Sequence, residues 1–563
     1  MRALRIIGIV VGCLIVVLIA AVIALQLLVH PNDYKGRIQA AVRSSTGREL
    51  SLPGDIHLAI FPSLAVELGP ASLGNPPGFG SAQPFASVQR VALRVRLLPL
   101  LHRRLVVGRI VIDGLDLRLL KNSRGQGNWA MPATQPMTPT PPQSGSSQLT
   151  LGGIAGIVIK NSRVSYQDMV ADHVNVNIGH VAAGTEVPVK WSVDLTTGPG
   201  ARPMALSGNA TLEYDSKAAH LSSLEARIDD STLRGNAAVT NLTTGAMTFD
   251  LSLDHIDLDR YLTPASKTAQ AAAQPAPEGG AGSTPQATEL PTSALKTLQI
   301  KGKLAIGSAI IYRMKLSQVA VGLAADAGVL HVNPAAARLY NGTSEGSVTL
   351  DAHGDIPVLQ LNETLSGVDI EPLLADFAKL NRVSGRGNVR LNLTGHGKTS
   401  AAIVGSLDGH AAVNLANGAI DGLDLWAAIN SAVALAQRHA LPAGGTSNST
   451  RFDVFKASAD LTNGVASTKD LEISSGDLRV TGEGTTNLVN GAVNYRVNAA
   501  IQQGPAAGAA LANVPLLISG RMTSPIVRPD TQALVKSVAR QQLEKHKGQV
   551  EKKLRGILKG LIH

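Results

Sequence analysis

Apolar residues recur at every second position along most of the chain. Val91, Leu93 and Val95 alternate with Ala92 and Arg94. Similar runs occupy residues 115–119, 174–178, 249–253, 389–393 and 495–499. Because a strand points successive side chains to opposite faces, this spacing indicates strands with one apolar and one polar face. Their number predicts a mainly β fold, an elongated antiparallel sheet with a few short helices.

Three segments downstream of residue 30 have helical rather than strand spacing. Residues 372–380 and 423–439 are two of them. In the second, the spaced apolar residues are Trp426, Ile429, Val433 and Ala436. The third helix is predicted to begin with Asn32 or Asp33 as its cap and to end at Gly47, with Ile38, Ala41 and Val42 on one side.

The first apolar stretch, Ile6 to Val29, contains no charged residue. As a helix it reaches about 36 Å, enough to cross about 30 Å of hydrocarbon. Arg2 and Arg5 precede it, and the Lys/Arg-rich side of a span normally stays in the cytoplasm. The stretch therefore predicts an N-terminal transmembrane helix, a single-pass anchor with a cytoplasmic N-terminus and the body of the chain across the membrane.

A cleaved secretory signal is the alternative, because Val22-Ile23-Ala24 ends in a small residue and resembles a cleavage site. The apolar run is longer than the roughly 7–15 residues of a signal core, which favours the anchor. Both interpretations export the body.

Composition disfavours a compact enzyme. Aromatic residues make up 3% of the 563 residues, and the single cysteine, Cys13, lies inside the predicted span. The exported part therefore has no internal disulfide and no thiolate site.

Two segments lack periodicity and are predicted to be flexible linkers. Residues 131–148 are rich in Pro, Thr, Ser and Gln, and residues 264–293 in Ala, Pro and Gly. The predicted regions are an anchor at 1–30, an N-terminal region at 31–130, a linker at 131–148, a β region at 149–263, a linker at 264–293, a second β region at 294–529 and a basic tail at 530–563.

The net charge of +10 is concentrated in two blocks. Arg90 to Lys121 holds eight basic and two acidic residues, and Asp530 to His563 holds eight basic and three acidic ones. Localised positive charge of this kind indicates places where anionic surfaces are met. The first block contains an apolar loop tip with Leu98 and Leu100 beside Arg103 and Arg104. This tip either contacts lipid headgroups or belongs to the core.

The second block is predicted to form a C-terminal amphipathic helix. Its apolar side carries Leu543, Val550, Leu554, Ile557 and Leu561. A basic amphipathic helix lies on an anionic membrane or contacts a partner. An ordinary helix packed on the sheet is the alternative.

The sequence also contains an internal repeat. The segment from Gly235 to His255-Ile-Asp-Leu-Asp259 resembles the segment from Gly346 to Gly367-Val-Asp-Ile-Glu371. A shorter match relates Leu224–Gly235 to Leu471–Gly482. These matches indicate growth by duplication, although short β repeats also match by chance.

Catalytic and metal-binding patterns are weak. Ser344 stands in a G-x-S-x-G pattern, but an esterase needs that serine on a turn from strand into helix, and residues 347–351 have a strand pattern. The 14 histidines never lie two, three or four residues apart. The basic blocks lack interleaved aromatic residues, which disfavours nucleic acid as a partner. We therefore expect no catalytic residue, no cofactor and no bound metal.

Several stretches together resemble the N-terminal region of the AsmA family. They are Asp33-Tyr-Lys35, Thr46-Gly-Arg-Glu-Leu-Ser-Leu-Pro-Gly-Asp55, Phe61-Pro62, Leu68 to Asn75, Pro84-Phe-Ala86, Val95 to Leu101 and Gly127-Asn-Trp129. Gly418 to Ile429 is similar to the family's downstream motif. The middle of the chain departs from the family through its Pro/Ala-rich insertion.

The resemblance implies a Gram-negative inner-membrane protein with a periplasmic body, linked to outer-membrane biogenesis and lipid homeostasis. It also implies a curved sheet with an apolar groove, as in bridge-like lipid carriers. We therefore expect phospholipids as partners and transfer toward the outer membrane, with the tail meeting the outer membrane or an envelope protein. The alternatives are a scaffold for outer-membrane proteins and, more remotely, a serine hydrolase using Ser344.

Overall fold

The computed structural model describes residues 31–59, 64–79, 83–95, 104–122, 125–129, 150–182, 184–198, 200–261, 292, 294–437, 448–476, 478–501 and 513–536. The chain divides into two compact units, Met1–Leu251 and Ser252–His563. Each unit is described by itself below, with strands and α-helices numbered in chain order.

The described part of the first unit begins with a 3-10 helix at Pro31–Tyr34 and helix α1 at Lys35–Thr46, and its strands follow. Its strands are β1 (Leu50–Ser51), β2 (Ile56–Ala59), β3 (Leu64–Leu68), β4 (Ala71–Leu73), β5 (Ala86–Val88), β6 (Arg90–Val95), β7 (Arg104–Asp113), β8 (Asp116–Leu119), β9 (Thr150–Tyr166), β10 (Met169–Ile178), β11 (Val187–Thr196), β12 (Met204–Tyr214), β13 (Ala219–Ile228), β14 (Ser231–Asn241) and β15 (Ala246–Asp257), which runs into the second unit.

Helix α1 confirms the predicted helix that ends at Gly47. Gly47 has φ of 68° and its N–H donates to the carbonyl of Arg43, so this glycine closes the helix in the left-handed conformation. The predicted N-terminal cap is wrong, because α1 begins after Tyr34 without a side-chain cap. The Asn32 side chain instead accepts a 2.9 Å hydrogen bond from the N–H of Ile56.

The sheet of the first unit is antiparallel from β9 to β14, with each strand pairing with the next. The expectation of a wholly antiparallel sheet is wrong at β9. Strands β7 and β8 both pair with it in parallel. A parallel pair needs a connection that brings the chain back to the starting end of the first strand. The residues between Leu119 and Thr150 provide that connection for β8 and β9.

The motif residues of this unit form a buried polar cluster. Arg48 is 5% exposed and donates a 2.7 Å hydrogen bond to the carbonyl of Asn128, while its guanidinium lies 4.4 Å from the ring centre of Phe85. Asn128 is fully buried, and its side chain bonds the N–H of Leu120, the carbonyl of Arg118 and the side chain of Asn75. The cluster therefore ties β1, β8 and the loops around Asn75 and Asn128 together.

The described residues of the second unit contain the strands from β16 onward, two 3-10 helices at Leu258–Arg260 and Ala294–Thr297, and three α-helices. The strands are β16 (Ile300–Ile311), β17 (Met314–Asp326), β18 (Val329–Leu339), β19 (Gly342–Asp351), β20 (Val358–Asp369), β21 (Arg386–His396), β22 (Asp408–Asp421), β23 (Ser449–Thr462), β24 (Val465–Ser475), β25 (Leu478–Asn487), β26 (Ala492–Ile501), β27 (Asn513–Arg521) and β28 (Ser524–Pro529). The helices are α2 (Ile370–Ala378), α3 (Ser400–Gly405) and α4 (Leu425–Gln437).

Strands β16 to β28 form a meander in which every strand pairs antiparallel with the next. Tight turns make this possible. Tyr312 and Arg313 have φ of 50° and 65°, as a two-residue hairpin of type I′ requires. The carboxylate of Asp259 accepts a 2.7 Å hydrogen bond from each of their N–H groups. The mainly β prediction is therefore confirmed.

The core of the second unit lies under α4. Leu425 and Ile429 of this helix are 0% and 1% exposed, and they belong to one cluster with Val480, Val514 and Leu516. Both predicted helices are confirmed, since α4 falls within its predicted segment and α2 overlaps its own, beginning and ending two residues earlier than predicted. The predicted apolar side of α4 is wrong at Trp426, which is 42% exposed, because the buried stripe begins one residue earlier at Leu425.

The shorter of the two predicted sequence matches, Leu224–Gly235 with Leu471–Gly482, is also seen in the structure. Leu224 pairs with Gly235 across the β13–β14 hairpin, and Leu471 pairs with Gly482 across the β24–β25 hairpin. In both hairpins the register shifts immediately before that leucine. The matching segments therefore adopt the same hairpin with the same irregularity.

The predicted anchor Ile6 to Val29, most of both linkers and the tail beyond Lys536 lie outside the described residues. Within the ranges that the structure describes, no helix is long and apolar enough to cross a membrane. The transmembrane helix and the C-terminal amphipathic helix remain predictions from the sequence.

Candidate functional site

One face of the second unit's sheet is aliphatic across seven consecutive strands, β16 to β22. The register sets its rows: Leu304 pairs with Val321, Val321 with Ala335, and Ala335 with Gly346. We call this surface the aliphatic face. Its larger side chains are Ile300, Leu304, Ile306, Val319, Val321, Leu323, Leu330, Val332, Val348, Leu350, Leu359, Leu361, Leu365, Val389, Leu391, Leu393 and Val413.

The opposite face of the same strands is polar. Asn362 and Asn392 pair on neighbouring strands, and their side chains form a 2.7 Å hydrogen bond. His331 and Thr349 are paired in the same way, with 3.1 Å between Nδ1 and Oγ1. The alternation predicted from the sequence therefore sorts aliphatic and polar side chains onto two faces.

Burial differs along the aliphatic side of the unit. From β23 to β28, helix α4 contacts the sheet, and residues such as Ile473, Val497 and Leu516 are at most 4% exposed. The large side chains of the aliphatic face on β16 to β22 are all only half-buried. Among the described residues no comparable helix covers them. Apolar surface of this extent is costly to leave in water.

Helix α2 lies beside the part of the aliphatic face that adjoins the core, since its Leu373 and Leu374 pack against the same buried cluster as Val389 and Val413. The side chain of Asp376 in α2 accepts a 2.7 Å hydrogen bond from the hydroxyl of Tyr340. The backbone carbonyl of Asp376 accepts a hydrogen bond from the guanidinium of Arg313. Burial, together with this bond, raises the pKa of Tyr340 to about 12. Tyr340 and Arg313 lie in turns, so the helix is tied to the ends of the strands.

A carboxylate interrupts the aliphatic face. Glu363 pairs with Gly346 on one side and with Leu391 on the other, both of which lie on this face. The hydroxyl of Ser344 donates a 2.7 Å hydrogen bond to Oε1 of Glu363. Burial raises the pKa of the Glu363 carboxyl, although the bonds from Ser344 and from two backbone N–H groups act in the opposite direction.

Gly346 provides the space in which this carboxylate lies. A Cβ on Gly346 would stand 2.5 Å from Oε2 of Glu363 and 2.2 Å from the carbonyl oxygen of Asn362. Gly235, its counterpart in the repeat, would meet the carbonyl oxygen of Asp250 at 2.1 Å. In both repeats, therefore, the glycine lets the backbone of the neighbouring strand come closer than a side chain would allow.

Ser344 lies inside strand β19, not on a turn from strand into helix. The hydrolase alternative needs the exposed turn, because the nucleophile must project from it. The Ser344 hydroxyl donates a hydrogen bond to the carboxylate of Glu363. The residues of the G-x-S-x-G pattern, Gly342 to Gly346, therefore belong to a strand of the sheet.

Most predicted membrane-contact residues lie outside the described residues. This applies to Arg2, Arg5, Ile6, Val29, Leu98, Leu100, Arg103, Leu543, Val550, Leu554, Ile557 and Leu561. Arg104 is the first residue of β7, but its side chain lies outside the description. Their contacts with a membrane remain predictions.

The described residues contain no group of three His, Cys, Asp or Glu side chains that could hold a metal ion. Two shallow hollows of the second unit are lined by both polar and apolar residues, one around Asp369 and Arg386 and the other around Glu483 and Arg496. The sequence analysis did not single out Glu363. The signal that could have found it is a carboxylate at a position where the alternation of Leu359, Leu361 and Leu365 calls for an apolar residue.

These features define a protein of successive antiparallel strands that presents a broad aliphatic face. Two matches to the model of the AsmA family cover residues 1–192 and 185–471. The chain therefore belongs to the AsmA family, as the N-terminal motifs indicated. It is similar to Protein AsmA of Escherichia coli (strain K12), with 24% identity over 526 residues that span 85% of this chain and 84% of that protein. No solved structure matches the chain.

Proposed function

We propose that this protein is anchored in the inner membrane of a Gram-negative cell, binds phospholipid in an apolar groove in the periplasm and supports its transfer toward the outer membrane. The observation that carries the proposal is the aliphatic face of β16 to β22, whose large side chains are half-buried. Acyl chains lying on this face would remove its apolar surface from water. Family membership and the similarity to Protein AsmA support a role in envelope biogenesis.

Transfer along this face requires no covalent chemistry. Burial stabilises a lipid by about 0.8 kcal/mol for each CH₂ group removed from water. Neighbouring rows consist of similar aliphatic side chains, so their free energies of contact with an acyl chain differ little. A lipid is therefore held against water but moves easily from row to row, and the direction of movement comes from the membranes or partners at the two ends.

Photo-crosslinking along one strand tests the proposal. A photoreactive amino acid is placed in turn at Leu359, Gln360, Leu361 and Asn362 of β20 in the full-length chain. The two leucines lie on the aliphatic face, and Gln360 and Asn362 are exposed on the polar face. We expect lipid adducts, identified by mass spectrometry, at the leucine positions only.

Equal crosslinking on both faces, or none on either, would contradict the proposal. The scaffold alternative predicts protein adducts in place of lipid adducts, so the same experiment separates the two functions. Asp substitutions at Leu361 and Leu391 should abolish lipid adducts and cellular function together. Under the scaffold alternative they should leave the capture of partner proteins intact.

A further inference from the structure

Between the row of Ile300 and the row of Ile306, the paired positions of the aliphatic face contain one ionisable side chain among the described residues of β16 to β22. The other positions in these rows are aliphatic residues, glycine or serine, whereas Glu363 carries a carboxylate. A charged group on an apolar surface loses part of its hydration, which is why burial raises the pKa of Glu363. A carboxylate that only kept the protein soluble would lie on the polar face, so the position of Glu363 on the aliphatic face indicates another role.

No cation of the described chain neutralises this carboxylate. Its side-chain partner is the Ser344 hydroxyl, and no Lys, Arg or His forms an ion pair with it. Arg390 lies on the next strand, but it pairs with Thr364 and is exposed on the polar face. A carboxylate that is fixed by a hydrogen bond and lacks a cation is suited to a cationic group brought by a ligand.

The surface beside the carboxylate has room for such a group. Along the row of Glu363, the next two positions are Gly346 and Ala335, both small. On the neighbouring row Ser344 pairs with Ala337. The larger side chains of Leu361, Leu365 and Leu391 surround this low area on β20 and β21. The carboxylate therefore has small neighbours toward β18 and aliphatic neighbours on β20 and β21.

We propose that Glu363 binds the primary ammonium group of a zwitterionic phospholipid lying on the aliphatic face, and that the face therefore selects amine-bearing lipids over anionic ones. This inference rests on the proposed function. An ammonium group offers three N–H donors and a positive charge to the carboxylate. A lipid with net negative charge is repelled at the same place, because its charge meets a carboxylate in surroundings of low dielectric constant.

A competition experiment tests the inference. The detergent-solubilised full-length chain is incubated in mixed micelles with equal amounts of phosphatidylethanolamine and phosphatidylglycerol, and the lipids that stay bound are quantified by mass spectrometry. We expect the ratio of bound amine lipid to anionic lipid to fall about fivefold in Glu363→Gln, the loss expected for one charge-assisted hydrogen bond at a half-exposed site. Gln keeps the shape and still accepts the Ser344 hydrogen bond, so the variant should fold.

Glu345→Gln is the matched control. Glu345 precedes Gly346 on the adjacent strand and is exposed on the polar face, so this substitution removes the same charge without touching the aliphatic face. Its lipid ratio should equal that of the unmodified chain. Phosphatidylcholine provides a second probe, because its quaternary ammonium has no N–H donor and should gain less from Glu363.

The outcomes separate this inference from the function on which it rests. Lipid retention with the same ratio in Glu363→Gln as in the unmodified chain would overturn the inference and leave lipid binding standing. An equal loss of both lipids in the variant would overturn it as well, since selection would then be absent. Failure of the unmodified chain to retain either lipid would overturn the proposed function itself.

Discussion

The hydroxyl of Ser344 and the carboxylate of Glu363 are hydrogen-bonded at 2.7 Å between adjacent strands of the aliphatic face. Both residues occupy positions where the alternation of the strands otherwise places aliphatic, glycine or serine residues. The pair therefore combines the serine of the G-x-S-x-G pattern with a carboxylate that interrupts the described aliphatic rows on which acyl chains would lie.

Ser344→Ala should leave function in the cell unchanged and raise the pKa of Glu363 further. The Ser344 hydrogen bond stabilises the charged carboxylate and so lowers this pKa, in opposition to burial. Complementation of a deletion strain measures the first effect, and a pH titration of the labelled Glu363 side chain measures the second. Loss of complementation by a folded Ser344→Ala variant would revive the hydrolase alternative.

Gly346→Ala should destabilise the second unit by about 1–3 kcal/mol, the usual cost of an overpacked site. The new methyl group would stand 2.2 Å from the carbonyl oxygen of Asn362, which is part of the backbone and cannot move alone. Urea unfolding followed by circular dichroism measures the change. Gly405→Ala is the control, because its methyl group would meet only Val489, at 3.8 Å. Equal stability of both variants would contradict the packing argument.

Asn128→Ala should destabilise the first unit by about 2–4 kcal/mol. The substitution leaves the N–H of Leu120 and the carbonyl of Arg118 without their partner in a buried place, and unmade buried hydrogen bonds are costly. Proteolysis of the folded chain and its thermal unfolding both report this loss. Asn177→Ala, at an exposed position of β10, should change stability by less than about 0.5 kcal/mol.

Tyr340→Phe should make the stability of the second unit less sensitive to alkaline pH. The pKa of Tyr340 is raised to about 12 in the folded chain, above its ordinary value of 10. The contribution of its hydrogen bond to Asp376 is therefore complete below pH 10 and is lost as the pH rises through about 12. Because the side chain is partly exposed, we expect a loss of about 0.5–1 kcal/mol in the variant at pH 8 and no difference near pH 12.

The measurement for Tyr340→Phe is the urea midpoint at pH 8, 10 and 12. Tyr312→Phe serves as the control, since the hydroxyl that donates to Asp376 is that of Tyr340 and not that of its neighbour Tyr312. A difference between Tyr340→Phe and the unmodified chain that stays constant across this pH range would contradict the role of the Tyr340 hydroxyl.

The sequence by itself predicted the strand pattern, the helices α1, α2 and α4, and the sorting of side chains onto two faces; the short helix α3 was not predicted. A strand places every second residue on one face whatever its neighbours are, so the alternation at Val389, Leu391 and Leu393 was sufficient to predict an aliphatic face. The helical segments at α2 and α4 were equally readable from spacing. The N-terminal motifs identified the family, because their residues are specific in type and order.

Tertiary structure decided which strands meet and which parts of the apolar surface are covered. The parallel pairing of β7 and β8 with β9, the buried bonds of Arg48 with Asn128 and the covering of β23 to β28 by α4 all join residues far apart in the chain. Spacing reports only the nearest few residues, so it cannot register such contacts. For the same reason, the position of Glu363 opposite Gly346 and within hydrogen-bonding distance of Ser344 became visible only when the register of β19 and β20 was known.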